Sequence, residues 1–167
     1  ADLVLCSRAG ESIVVGIMAK ALDGVIFDAG KPALVLPDNT ESIDCDFKSI
    51  SIAWDPVPEA MKALTASLPL LKNASDVELL IVTQNEEKEA YSTETKRIVG
   101  WLRRQEIKAT LRLIPQGKQS VSKALVKYIN DADRDLVVMG AYGHSKFSER
   151  LFSGVSYKVL DQSNTSL

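Results

Sequence analysis

The residues best placed to do chemistry are those of Met139-Gly140-Ala141-Tyr142-Gly143-His144-Ser145-Lys146, a glycine-punctuated stretch between an apolar run and a helical pattern opening near Ser148. Glycine accepts positive φ and lets the backbone approach an anion closely, and a helix N-terminus with its free N–H groups favours negative charge. The stretch is therefore a candidate phosphate cradle that needs no catalytic side chain. It is not a Walker loop, because the Gly-Lys-Ser/Thr ending is missing, and it lacks the G-x-G-x-x-G order of a dinucleotide fingerprint. His144, the only histidine, could donate to a phosphate or stand exposed in the loop. Lys146 and Arg150 could screen phosphate charge or lie solvated on a helix turn. No Ser or Cys elbow and no paired-carboxylate motif accompanies the histidine, so the sequence offers no partner for hydrolysis.

Such a cradle must be held by buried strands and the helices that follow them. Apolar bursts rich in Val, Ile and Leu recur at residues 3–5, 33–36, 50–54, 77–82, 110–114 and 136–139, lengths that predict strands buried on both faces. Between them, helical spacing predicts helices over residues 13–27, 58–73, 89–105, 120–130 and 148–160. Pro58 suits a first helical turn, and Ser120 and Ser148 suit N-caps. The alternation predicts an α/β fold with a doubly wound, mainly parallel, five-stranded-type sheet and helices on both faces. In such a sheet ligands bind at the carboxyl ends of the strands, so function belongs in the strand-to-helix loops.

Sliding the chain against itself reveals a repeat at an offset of 133. Asp2-Leu3-Val4 matches Asp135-Leu136-Val137, Gly10 matches Gly143, Ser12 matches Ser145 and Asp28 matches Asp161. This divides the chain into the strand-helix-strand tail of a first repeat at 1–37, a polar connector at 38–46 and a second copy at 47–167. One continuous domain is the alternative division. Because Leu34 maps onto Leu167, the last strand of the second copy is expected to be missing. The chain, which begins without Met, is expected to be a trimmed product or fragment of a tandem protein of about 270 to 300 residues. The first copy has Ser7-Arg8-Ala9-Gly10 where the second has the glycine loop, so no nucleotide is assigned to it.

Composition narrows the remaining classes. With 46% hydrophobic and 25% charged residues, the 167-residue chain can bury a core, which argues against disorder. A net charge of -2 gives no footprint for nucleic acid or an anionic membrane, and Arg103 and Arg104 read as the wet face of a helix. Cys6 and Cys45 form neither a disulfide framework nor a metal-ligand spacing, which fits a reducing, cytoplasmic setting. No apolar run approaches the roughly 18 residues of a membrane span.

Asp-Leu-Val-Val-Met-Gly-Ala-Tyr-Gly-His-Ser over residues 135–145, followed by Ser153-Gly154, resembles the Gly-x-x-Gly-x9-Gly-Ser/Thr motif of the universal stress protein family, adenine nucleotide alpha hydrolase-like in fold. The resemblance covers about residues 47–167 and extends more weakly over 1–37. It implies a cofactor-binding pocket made by Met139, Gly140, Gly143, Ser153, Gly154 and Val155, with Asp55 at the base or ribose and Val82 contributing backbone to adenine, and His144 joins it from its place in the glycine loop. It implies ATP, with Mg2+, as a regulatory ligand or slowly turned-over substrate in a stress response, and pairing as a homodimer or between tandem repeats. Two departures stand out: Ser153-Gly154 replaces Gly-Ser/Thr, and Pro56-Val57 replaces the Gly-Ser usual after the Asp. The alternative is a non-nucleotide interaction and dimerisation module of the same fold. An enzyme of nucleotidyl transfer or flavin-linked electron transfer has fold analogy alone behind it.

Overall fold

The computed structural model describes residues 3–7, 24, 31–36, 46–90, 92–141, 158–159 and 165–167. The six apolar bursts form strands β1 (Val4–Ser7), β2 (Ala33–Leu36), β3 (Ser49–Ala53), β4 (Asp76–Thr83), β5 (Ala109–Pro115) and β6 (Leu136–Met139). Among the described residues the helices between them are α1 (Pro58–Ala66), α2 (Leu68–Asn73), α3 (Glu86–Ala90), α4 (Thr93–Arg104) and α5 (Val121–Ala132). Strands β3 to β6 make a parallel sheet in the order β5-β4-β3-β6, and β1 pairs β2 in parallel.

Two of the helices expected over 58–73 and 89–105 are four. Pro69 cannot donate to the carbonyl one turn back, so the first pattern breaks at Ser67, whose N–H still closes on Ala63 at 3.0 Å. The second breaks at Ser92, whose hydroxyl caps α4 by accepting the Thr95 N–H at 3.0 Å. Ser120 caps α5 in the same way through the Lys123 N–H. Most of the segments expected as helices over 13–27 and 148–160, and the cap at Ser148, lie outside the described residues.

Alternation along the strands divides the core in two. On one face Ile50, Ile52, Val77, Leu79, Leu136 and Val138 pack with Leu64 of α1, Leu71 of α2 and Ile98 and Leu102 of α4. On the other, Leu80, Ile114 and Val137 pack with Ala124, Leu125, Val126 and Ile129 of α5 and with Val159. Burial on both faces is why the strand sequences read as continuous apolar runs rather than alternating ones.

Residues 165–167 join the two sheets. Ser166 bridges Leu136 in parallel, and the Val137 N–H donates to Ser166 O at 2.8 Å. On the other side Val35 and Leu167 exchange both backbone bonds, at 2.6 and 2.9 Å, the reciprocal pair of opposed antiparallel residues. The place beside β6 where the last strand was expected to be missing therefore holds this three-residue stub. Leu34 and Leu36 belong to the first core cluster, so β2 packs with the larger sheet.

A polar clasp ties the amino edge. The Asp135 carboxylate accepts the backbone N–H groups of Lys48 and Ser49, both at 2.8 Å. Glu78, 1% exposed, accepts from Ser51 Oγ at 2.5 Å, Tyr128 OH at 2.9 Å and Arg134 at 2.9 Å, while Arg134 also pairs with Asp76. Burial, then the Glu78 hydrogen bond and charge, push the Tyr128 hydroxyl above its ordinary range.

Candidate functional site

The chain winds outward from β3 through β4 to β5 and then returns to the other side of β3 to form β6. Strand order reverses between β3 and β6, and the crevice at the carboxyl ends of such a pair is where an open α/β sheet takes its ligand. Ala53 stands beside Met139 in register, so Asp55 and Gly140 leave the sheet from adjacent strands on either side of this point.

A wall rises next to it. Ala53, near the end of β3, pairs with Leu80, so Ile81, Val82 and Thr83 project past β3, backed by Leu113, Ile114 and Pro115 of β5. Ala53, Val82 and Met139 are half-buried and all pack against the second core cluster. Three adjacent strands thus end in an apolar strip able to support a flat ring, while Asp55 beside it is exposed. The Trp54 N–H donates to Leu80 O at 2.9 Å and the Val57 N–H to Asp55 O at 2.7 Å, which holds the β3 exit in a tight turn.

Gly140 meets the other boundary, the first turn of α1. A Cβ at position 140 would stand 2.6 Å from the Ala60 nitrogen, 2.8 Å from its Cα and 2.9 Å from the Glu59 carbonyl carbon. These are backbone atoms that cannot turn aside, so this glycine is required by helix packing before any ligand is considered. Val57 leaves α1 without a side-chain cap, Pro58 occupies its first turn, and the half-buried residue Glu59 follows it there.

The structure therefore brings Asp55, Met139 and Gly140 together and sets Val82 one strand away on the projecting wall. Gly143, His144, Ser153, Gly154 and Val155 lie outside the described residues. The contact of the first turn of α1 with Gly140 had no signature in the sequence, since only the tertiary fold carries Glu59 and Ala60 there. Among the described residues no group of three or more His, Cys, Asp or Glu is arranged to hold a metal ion. A shallow cavity of about 590 Å3 lies at the turn between β5 and α5, lined by Gln116, Gly117, Lys118, Ser120 and Lys123 among others, beyond the wall and away from the switch point. No described helix is long and apolar enough to cross a membrane.

Neither a family model nor a curated protein matches the chain. Solved structures do. A universal stress protein from Archaeoglobus fulgidus superposes on 99% of this chain and 60% of its own, with a TM-score of 0.71 at 15% identity. A chain from Pseudomonas aeruginosa covers 99% of this one and 61% of its own, with a TM-score of 0.59 at 12% identity. A universal stress protein in complex with cAMP covers 72% of this chain and 93% of its own, with a TM-score of 0.57 at 16% identity. The chain has the fold of the universal stress proteins, and it spans about 60% of the two longer ones.

Proposed function

We propose that residues 47–167 are an adenine-nucleotide-binding unit that acts in stress regulation, with ATP and its Mg2+ as the ligand expected from the sequence. The observation that carries this reading is the meeting of Asp55, Met139 and Gly140 at the switch point, beside the apolar strip of Ala53, Val82 and Met139. A purine fits the strip, the exposed Asp55 carboxylate can accept from ribose hydroxyls, and the loop after Gly140 begins where phosphates would follow. The neighbour solved with cAMP supports the same ligand class. Binding would stabilise the liganded form by RT ln(1 + [L]/Kd) and so couple nucleotide level to the shape of the carboxyl edge. A cytoplasmic site of action remains part of the proposal.

The two-unit organisation is proposed with it. The match to the cAMP-bound protein spans 72% of 167 residues, or about 120, close to the length of 47–167. Leu34 and Leu167 are equivalent in the repeat, and the Val35 and Leu167 bonds pair the corresponding segments antiparallel. That pairing also favours a second reading, in which the fold serves as an interaction module whose units meet through these strands and whose carboxyl edge takes no nucleotide.

Hydrogen exchange with and without saturating ATP or cAMP separates the two. Slower exchange at residues 53–57, 80–84 and 139–141 is expected for nucleotide binding, and unchanged exchange there with both ligands would leave the interaction module.

A further inference from the structure

We infer that Asp135, with Arg134 beside it, is a positioning residue of the candidate site: from the amino edge of the sheet it fixes where Met139 and Gly140 stand at the carboxyl edge. The ligand side of the inference rests on the nucleotide-binding reading. β6 needs such a gauge because its own side chains do not fix its register. Leu136 and Val138 belong to one core cluster and Val137 to the other, with Met139 packed against the second. All four are apolar, so a slip of one residue would exchange apolar side chains for apolar side chains on both faces. The alternation that ordinarily pins a strand is missing.

Polar groups supply what the pattern lacks. Asp135 Oδ2 accepts the Lys48 and Ser49 N–H groups, both at 2.8 Å. The Asp135 N–H is shared between Ser49 O at 3.1 Å and Ser49 Oγ at 3.2 Å. Arg134 carries the tie across β3 to β4, where it pairs with Asp76 and, at 2.9 Å, with the buried Glu78. These bonds join particular residues on three neighbouring strands, and a slip of one residue, about 3.3 Å, would break them together. On its other side β6 is held, among the described residues, by the bridge between Leu136 and Ser166.

The carboxyl end has no room for the slip. Gly140 fits against α1 because it lacks a Cβ, and a slip would bring Met139 or Ala141 to a place where a Cβ stands 2.6 Å from the Ala60 nitrogen. Sterics at Gly140 exclude the wrong registers, while the Asp135 bonds hold the right one. Without those bonds β6 gains play along its axis rather than a new pairing. Gly140 follows Asp135 by five residues, about 17 Å of strand, so a group that touches no ligand sets Met139 and Gly140 against Asp55 on the adjacent strand.

ATP and cAMP titrated into the full chain, with amide hydrogen exchange of the unliganded chain, test this in Asp135→Ala, Asp135→Asn and Leu111→Ala. Asparagine can keep both acceptor bonds through its side-chain oxygen, and alanine cannot. Leu111 lies on β5, the strand farthest from β6 in this sheet, and its truncation loosens the core without touching β6. Asp135→Ala is expected to weaken both ligands at least about tenfold and to speed exchange at residues 137–139 relative to 77–81 by a similar factor. Asp135→Asn should stay within about threefold of wild type, and Leu111→Ala should change neither ratio nor affinity. Equal effects of Asp135→Ala and Leu111→Ala, or wild-type affinity and wild-type exchange at 137–139 in Asp135→Ala, overturn the inference. A wild type that binds neither ligand overturns the nucleotide reading, and the exchange at 137–139 then decides the positioning role by itself. Asp135→Glu, which keeps the charge but moves the carboxylate, takes the place of Asp135→Ala with the same expectations if the latter loses the wild-type circular dichroism.

Discussion

A Cβ on Gly140 would lie 2.6 Å from the backbone nitrogen of Ala60, so the end of β6 and the start of α1 meet with no space for a side chain. Gly140→Ala is therefore expected to lose about 1 to 3 kcal/mol of stability in urea unfolding. Ala60→Gly should not rescue it, because the obstructing atoms are backbone. A stable Gly140→Ala chain, or rescue by Ala60→Gly, would show that α1 moves aside at little cost. Substituting Gly140 does not separate binding from folding, and Asp55 is the cleaner probe of the ligand.

Glu78 sits 1% exposed among Ser51, Tyr128 and Arg134. Glu78→Ala leaves the Arg134 guanidinium, whose side chain is 13% exposed, with Asp76 alone and takes the acceptor from Ser51 and Tyr128, and is expected to cost about 3 kcal/mol or more. The Lys48 and Asp46 pair, each 56% exposed, makes the contrast: Asp46→Ala should cost less than about 1 kcal/mol. Similar losses from the two changes would contradict the central place given to Glu78.

Burial pushes the Asp135 carboxyl up, but the N–H and hydroxyl of Ser49, the Lys48 N–H and the Arg134 charge together hold it below its ordinary 3.8. The sign follows from the lowered folded value. The stabilisation is fully present above 3.8 and is lost as pH falls through the folded pKa. The difference in denaturation midpoint between wild type and Asp135→Asn should be steady at neutral pH and narrow on acidification below that point. A gap that widens in acid would reverse the assignment.

Leu34 lies in the first core cluster although it belongs to the segment preceding the connector. Leu34→Ala should cost about 2 to 4 kcal/mol within a single cooperative transition. Leu5→Ala, at a side chain 51% exposed, should cost less than about 0.5 kcal/mol. A separate early transition for β1 and β2 would show that they fold apart from the larger sheet.

The strands were legible because burial on both faces writes runs such as Val77 to Val82 and Leu136 to Met139 directly into the sequence. The breaks at Pro69 and Ser92 were not, because helical periodicity runs straight through both. The carboxyl-edge placement of Asp55, Met139 and Gly140 followed from strand-to-loop order. The close approach of Ala60 to Gly140 did not, since it depends on where α1 crosses β6, and no spacing encodes that. The Ser51, Glu78, Tyr128 and Arg134 cluster was likewise invisible, because it draws on β3, β4, α5 and the turn after α5. Gly143, His144, Ser153, Gly154 and Val155 lie outside the described residues, and their assignment to the site is an expectation from the sequence.

Calorimetric titration of ATP and cAMP into the full chain and into Asp55→Ala, at two temperatures so that a zero enthalpy cannot hide binding, tests the nucleotide site most directly. Saturable binding by the wild type, weakened at least tenfold in a folded Asp55→Ala chain, is the result this account expects. No heat with either ligand at millimolar concentration, or binding indifferent to Asp55, would contradict it.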